Sequence, residues 1–417
     1  MFYEEISMPV KSRIGILLIL LLVSQTVLVV KGQGINPAFD ADAMIRMDGK
    51  RIFVLGLYQK PKVQDGYAAM AREGYNLVSL SADSRMLDSA RVAGIKGWIT
   101  LGTIDSTQRT KSWIPIKQKI EQLRSNPALL AWEIADEPSF SWNSSELRIV
   151  PKLMKETRDS IRSADISHPI YLNHAPVNLV ETLKQYNGSN DLTACDIYPV
   201  IPSGIKPMYA LNADGFQGDL TNTTLSQVGD YVDKMRTVCG PNRPLLMVLQ
   251  GFAWEMLRPV AERDSSKIRY PTFNESWFMA WDAILHGSNG LIWWGTAYVP
   301  ENHPFLGDLA KVSTQLSSIQ DVLTLPDLHH PIRINYVEMG HSINKGIEVK
   351  IRKSKDTIWI LTANTERYPV RAELFTEFTA EVADVLFENR RINLHQTKIA
   401  DDYQPYQVHL YKLRLLH

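Results

Sequence analysis

The feature that most constrains this chain is a rhythm. From residue 51 a short apolar, β-rich run gives way to a polar turn and then, in most cycles, to an amphipathic segment, and eight such runs occur. The runs are "RIFVLGLY" (51–58), "NLVSLSA" (76–82), "KGWITLGT" (96–103), "ALLAWEIA" (128–135), "PIYLNHA" (169–175), "LTACDIYPV" (192–200), "PLLMVLQGF" (244–252) and "NGLIWWGTA" (289–297). Helical patterns lie between and after them at 63–74, 84–94, 116–126, 145–165, 224–239, 273–287 and 306–322. Several open after Ser, Thr or Asp and close at Gly or Asn, as helix caps require. Strands without strict alternation are buried on both faces, so they imply a parallel sheet covered by helices.

Eight βα units in about 270 residues predict a (β/α)8 barrel, here over residues 40–325. The competing fold is an open doubly wound sheet. It would need a glycine-rich dinucleotide loop after the first strand to suggest a cofactor, and "GLYQKPK" (56–62) offers none. After "DLHHPIRI" (327–334) the rhythm changes. The stretches 346–365, 370–378, 380–394 and 406–415 alternate apolar and polar residues without helices between them, which predicts a C-terminal antiparallel β-sandwich over 331–417.

The N-terminal segment stands apart. Lys11 and Arg13 precede "IGILLILLLVSQTVLVV" (14–30), and Val30 and Gly32 satisfy the small-residue rule for cleavage after Gly32, so residues 1–32 read as a secretory signal. The expected location is secreted or periplasmic, with the N-terminal segment, if uncleaved, as the one tie to a membrane. Export permits a disulfide, but Cys195 and Cys239 make no framework, and bonded and free thiols are both open. No CxxC or HExxH spacing occurs, so no metal site and no organic cofactor are implied. Lys and Arg, 45 together, balance 45 Asp and Glu. Such a chain has no broad attraction for nucleic acid or an anionic surface, and a neutral ligand suits it better.

In a barrel of this kind the strand ends ring a common mouth. Read from the sequence, that mouth holds Tyr58, Ser81 and Asp83, Thr103 and Asp105, Asp136 and Glu137, Asn173 and His174, Asp196 and Tyr198, Gln250, and Trp293 and Trp294, with Glu255 just beyond. Indoles stack on sugar faces while amides and carboxylates bind hydroxyls, so this lining suits a neutral polyhydroxylated ligand. By alternation one of Trp293 and Trp294 belongs to the core and the other to the floor. Asp136 and Glu137 end an apolar strand side by side. Burial and mutual repulsion raise carboxyl pKa values, and a carboxyl kept protonated near neutral pH is what a glycosidic leaving oxygen requires.

"WEIADEP" (132–138) resembles the acid/base motif that closes the fourth strand in the large clan of (β/α)8 glycoside hydrolases. "HGSNGLIWWG" (286–295) is similar to that clan's glycine-rich approach to an aromatic floor, and the tail resembles the small β-sandwich that many members carry. The resemblance implies a glycosidase with Glu137 as general acid/base and a nucleophilic Glu at the end of the seventh strand. There the sequence departs from the pattern, because Gln250 occupies that place and an amide is no carboxylate nucleophile. Three repairs are open. Asp136 could orient a 2-acetamido group that attacks the anomeric carbon; Asp196 or Glu255 could serve as base or nucleophile; or the barrel could bind glycans without cleaving them. The second is preferred, with Glu137, Asp196 and Asp136 as the catalytic set and Tyr58, Asn173, His174, Tyr198, Gln250, Glu255, Trp293 and Trp294 as substrate-binding residues.

Overall fold

All eight apolar runs become strands of one closed parallel barrel. The computed structural model describes residues 38–63, 65–141, 146–205, 222–337, 345–394 and 397–416; the predicted signal segment lies outside them. The barrel strands are β1 Val54–Leu57, β2 Leu77–Leu80, β3 Lys96–Thr100, β4 Leu129–Glu133, β5 Ile170–His174, β6 Leu192–Ile197, β7 Leu245–Gln250 and β8 Gly290–Trp294. β8 closes the ring on β1 in parallel register, Gly290 opposite Val54 and Trp293 opposite Leu57. Gly290 permits that closure, since a Cβ there would lie 2.5 Å from Val54 Cβ.

Each strand leads into a helix: α1 Gly66–Arg72, α2 Ser84–Val92, α3 Arg109–Leu123, α4 Pro151–Ala164, α5 Val180–Lys184, α6 Gln227–Cys239, α7 Phe273–Leu285 and α8 Pro304–Ser317. Three differ most from the sequence reading. α4 begins at Pro151, six residues later than 145, with the proline at its first position. α3 begins seven residues before 116 and carries Pro115 inside it. That proline reads as a boundary, but it is exposed in the second turn, where the carbonyl it leaves without a partner can reach water. The five-residue α5 is too short to show a helical period.

α7 differs from the other helices because every residue from Ser276 to Leu285 is buried. A helix that is apolar all round must be covered all round. It opens with a capping box between Thr272 and Glu275, and it packs on β7 inside and on the C-terminal sheets outside. Those sheets contain β9 Arg333–Tyr336, β10 Ile347–Ser354, β11 Thr357–Asn364, β12 Val370–Phe375, β13 Val382–Val385, β14 Arg390–Asn393, β15 Lys398–Tyr403 and β16 Val408–Arg414. The order is β9-β12-β15 in one sheet and β10-β11-β16-β13-β14 in the other, all antiparallel.

Period-two alternation explains how the larger sheet is buried on both faces. Ile358, Ile360, Tyr411 and Leu413 face the smaller sheet. The intervening Leu361, Ala363, Val408 and Leu410 join the core of the barrel. The described residues thus belong to one compact unit. Cys195 and Cys239 are both free, and among the described residues no helix is long and apolar enough to cross a membrane.

One polar contact fastens the helical ring to the barrel. Asp165, at the C-terminus of α4, accepts a hydrogen bond from the Trp132 indole at 2.8 Å and one from the Ser167 backbone at 2.8 Å, and His168 Nδ1 lies 2.7 Å from it. Partial burial works to raise its pKa, yet these bonds outweigh burial and hold the carboxyl below its usual range. A carboxylate so depressed contributes stability above its unfolded pKa and loses it as the pH falls through the folded value. Asp165→Ala is expected to lower the urea-unfolding free energy at pH 7 by about 2 kcal/mol, the cost of stranding the buried Trp132 indole N–H and of losing the bonds to two less buried donors. The deficit should shrink progressively as the pH falls below about 4, where the unfolded chain takes up a proton that the folded carboxyl resists.

Candidate active site

Parity along the strands decides which side chains reach the mouth. In β5, Asn173 points inward, and the next residue, His174, points to the helical layer, where it meets Tyr186 edge-on at 5.9 Å. In β8, Trp294 stands in the mouth and Trp293 is buried against Tyr75, the division that alternation predicts. The mouth holds a cavity of about 120 Å3. Tyr58, Asp136, Glu137, Asn173, Asp196 and Tyr198 line its polar side, and Phe252, Trp254 and Trp294 supply an aromatic wall. Tyr198 stacks on Trp294 with ring centroids 5.6 Å apart, and Phe252 abuts both edge-on. Gly295, at φ 93°, leaves room for the Phe252 ring, which a Cβ would approach to 2.6 Å.

Glu137 is held by its backbone. Its φ of 40° is left-handed, a conformation that costs a non-glycine residue about 1 kcal/mol or more. The turn persists because the Glu137 N–H donates to the Asn173 carbonyl on β5 at 3.0 Å, and the Glu137 carbonyl accepts from Phe140 at 3.2 Å. The side chain shares a hydrogen bond with Asp196 of β6. Asn173 Nδ2 bridges the two acids of the rim, donating to Asp136 at 3.0 Å and to Asp196 at 3.3 Å.

A fourth carboxyl lies beneath. Glu133, the last residue of β4, is 3% exposed and accepts from Thr100 Oγ1, while its Oε1 has no hydrogen-bond partner. Above it the Tyr58 and Tyr171 hydroxyls are 3.1 Å apart.

Four carboxyls so close cannot all be charged. Burial first, and then the charge of Asp136, push Glu137 up to about 7 and Glu133 up to about 7. Asp196 is raised further, by burial and by Glu137, so the hydrogen-bonded pair retains a proton at neutral pH. Asp136 is raised by burial too, but the Asn173 amide stabilises its charged form. It is open to water at the rim although protein walls it on most sides.

Three expected substrate-binding residues have other positions besides Trp293. His174 is fully buried with neither ring nitrogen hydrogen-bonded, and burial pushes its pKa down to about 3, so it is a neutral core residue. Gln250 is also fully buried. Its Nε2 donates to the carbonyls of Val200 and Phe252 at 3.0 and 3.1 Å, and its Oε1 accepts from the Val200 N–H at 2.8 Å. The amide clamps the β6 and β7 loops together, leaving nothing to offer a ligand. Glu255 is sealed behind that loop, accepting from the Asp264 N–H at 2.6 Å, with Arg258 3.7 Å away. Asp196 touches Glu137 and so does not stand across the mouth from it.

Sequence reasoning missed Glu133, Tyr171 and the Phe252–Trp254 wall. Strand parity was the available signal for Glu133 and Tyr171, but the apolar run 128–135 outlasts β4 by two residues and hides where the strand ends.

No family model and no curated protein matches this sequence. Solved structures do match in fold. A family 5 glycoside hydrolase from Bacteroides vulgatus aligns with a TM-score of 0.59 at 11% identity over 91% of this chain and 93% of its own. Another glycoside hydrolase gives 0.58 at 11% over 90% and 96%. A family 27 β-L-arabinopyranosidase from Geobacillus stearothermophilus gives 0.55 at 10% over 87% and 96%. The chain therefore has a barrel-plus-sheet fold found among glycoside hydrolases.

Glu133 offers a direct measurement of the cluster. Its folded pKa of about 7 exceeds the ordinary 4.5. A carboxyl raised by folding favours the fold while protonated, and that advantage is lost as the pH rises through the folded value. Glu133→Gln removes the loss and is expected to be more stable than the parent at pH 8.5 by up to about 3 kcal/mol. Below about pH 4 the two should melt together, as followed by thermal unfolding across pH.

Proposed function

We propose that this protein hydrolyses an O-glycosidic bond in an oligo- or polysaccharide, with Glu137 as the general acid. The observation that carries the reading is a single strained residue. Glu137 is fixed in a left-handed turn at the mouth, its pKa raised to about 7 by burial and by Asp136, opposite an aromatic wall fit for a sugar face. A carboxyl tuned near neutrality is protonated often enough to donate and acidic enough to let the proton go.

In this reading the Glu137 proton passes to the leaving oxygen as its bond to the anomeric carbon breaks. Asp136, charged and reachable from solvent, faces the positive charge that develops on the ring. Water then adds to the anomeric carbon and gives its surplus proton to the Glu137 carboxylate, so the residue ends as it began. Asp196 acts as a positioning residue, holding the Glu137 carboxyl through their shared hydrogen bond. Tyr198 and Trp294 stack on the sugar, and Tyr58 and Asn173 bind its hydroxyls or hold the acids that do. The first thirty-two residues suit an exported enzyme acting on external glycans.

A second reading has its own observation. The strand-7 position that would carry a nucleophile holds Gln250, its amide engaged with backbone on every side, and this favours a barrel that binds glycans without cleaving them.

Glu137→Gln decides between them. Hydrolysis predicts a loss of at least about a thousandfold in kcat on natural glycosides. A much smaller loss is expected on aryl glycosides whose leaving group needs no proton. Wild-type kcat/KM should fall above about pH 7, where Glu137 loses its proton. A glycan retained on the wild type with no product released would establish the binding reading, and full turnover by the variant would remove the acid assignment.

A further inference from the structure

Away from the mouth, one polar cluster joins α7 to the C-terminal sheets. Asp282 and His286 stand four residues apart on α7 and so share a face, and Glu348 reaches them from β10. One ligating atom from each lies within 4.8 Å of the other two. His286 Nε2 is 2.5 Å from Glu348 Oε2 and 3.9 Å from Asp282 Oδ1.

The remaining atoms of two of these side chains are already fixed. His286 Nδ1 lies 2.9 Å from Asp233 Oδ2 on α6, and Asp282 Oδ2 accepts from the Gly229 backbone N–H at 2.7 Å. Position 229 must be glycine here, because a Cβ would come within 2.5 Å of the imidazole. His286 Nε2 and Asp282 Oδ1 are thereby turned toward each other. Asp282 has no exposed surface, and its Oδ1 has no hydrogen-bond partner. A buried carboxylate oxygen in that condition is costly unless a positive group meets it.

We propose that Asp282, His286 and Glu348 bind a divalent metal ion of the class that accepts mixed nitrogen and carboxylate ligands, zinc or manganese rather than calcium, and that the ion staples α7 to β10. One imidazole with two carboxylates is the ligand chemistry such ions take, at about 2.0–2.2 Å from each donor. Asp233 on the second ring nitrogen and Gly229 on the second carboxylate oxygen are the outer contacts that orient ligands toward an ion. Glu348, 22% exposed, gives the route of entry and the side on which water completes the shell. Loading would part Nε2 and Oε2 to roughly 3.4 Å, the spacing of two ligands on a tetrahedral ion.

The competing occupant is a proton. Burial lowers the His286 pKa, but the bonds to Asp233 and Glu348, with the Asp282 charge, outweigh it and push the imidazole up to about 10. Lys345, paired with Asp230, and Lys350, paired with Asp327, are the nearby cations. An ion would replace the proton and release it.

The full chain, stripped with EDTA, is titrated with zinc chloride and with manganese chloride by calorimetry, with cobalt chloride by visible absorption, and with calcium chloride as control. The expected result is one zinc per chain, a higher melting temperature on loading, cobalt d–d bands from a nitrogen–oxygen site, and no response to calcium. Glu348→Gln and Asp233→Asn alter partly exposed residues and should leave the circular dichroism unchanged. The first is expected to weaken zinc binding at least tenfold, the second by about ten- to a hundredfold. No zinc or manganese binding at about 100 μM, or binding unchanged in both variants, would overturn the proposal. So would a melting temperature lowered equally in Glu348→Gln with and without zinc, which assigns the cluster to a proton.

Discussion

Closure of the barrel is the constraint on which everything else rests. Once β8 pairs with β1 in the register that sets Gly290 opposite Val54, the pleat of each strand is fixed relative to its neighbours. A shift by one residue would exchange Asn173 for His174 and Trp294 for Trp293, placing a histidine and a core indole in the mouth. The same closure sends all eight C-terminal ends to one rim. Four carboxyls from β4 and β6 then meet in a space too small for four charges. Their raised pKa values are a consequence of topology more than of local sequence.

That cluster carries an energetic cost, and the surrounding structure shows how it is tolerated. Asn173 donates to two acids, Thr100 donates to a third, and the Glu137 turn is tied to β5 by a backbone bond. None of these removes the repulsion; each fixes where the protons go. The strained φ of Glu137 and the partnerless Oε1 of Glu133 remain as residual costs, and strain kept in this way is concentrated where a site needs a fixed geometry. The stable parts of the chain, by contrast, satisfy their polar groups: Asp165 between Trp132 and His168, and Thr272 with Glu275 at the start of α7.

How much of this was legible in the sequence follows from the same physics. Barrel strands are continuous apolar runs of fixed order, so all eight could be read directly, and the change to alternation after residue 334 announced the sheets. Helix starts were less clear, because Pro115 looks like a boundary and is one only when its carbonyl partner is buried. The rim was legible to within a residue or two, and that error matters in a structure of period two. It brought in His174 and left out Glu133. Gln250 and Glu255 lie on the right strand and loop, but their partners are backbone groups that no side-chain pattern reveals. The Asp282–His286–Glu348 set was invisible for another reason: its first two members lie on α7 and its third on a strand of the C-terminal sheets, 62 residues along the chain from His286.

The clamp made by Gln250 accounts for the lopsided mouth. By joining Val200 to Phe252 it draws the β6 and β7 loops over the seventh strand and presses the Phe252 ring against Tyr198 and Trp294. Acidic chemistry is therefore confined to β4–β6, and the β7–β8 side becomes apolar. A carboxylate in place of Gln250 would face the Val200 and Phe252 carbonyls with no proton to donate, so the wall and a strand-7 nucleophile exclude each other in this backbone. The acids that line the cavity, Asp136, Glu137 and Asp196, accordingly all come from the β4–β6 side.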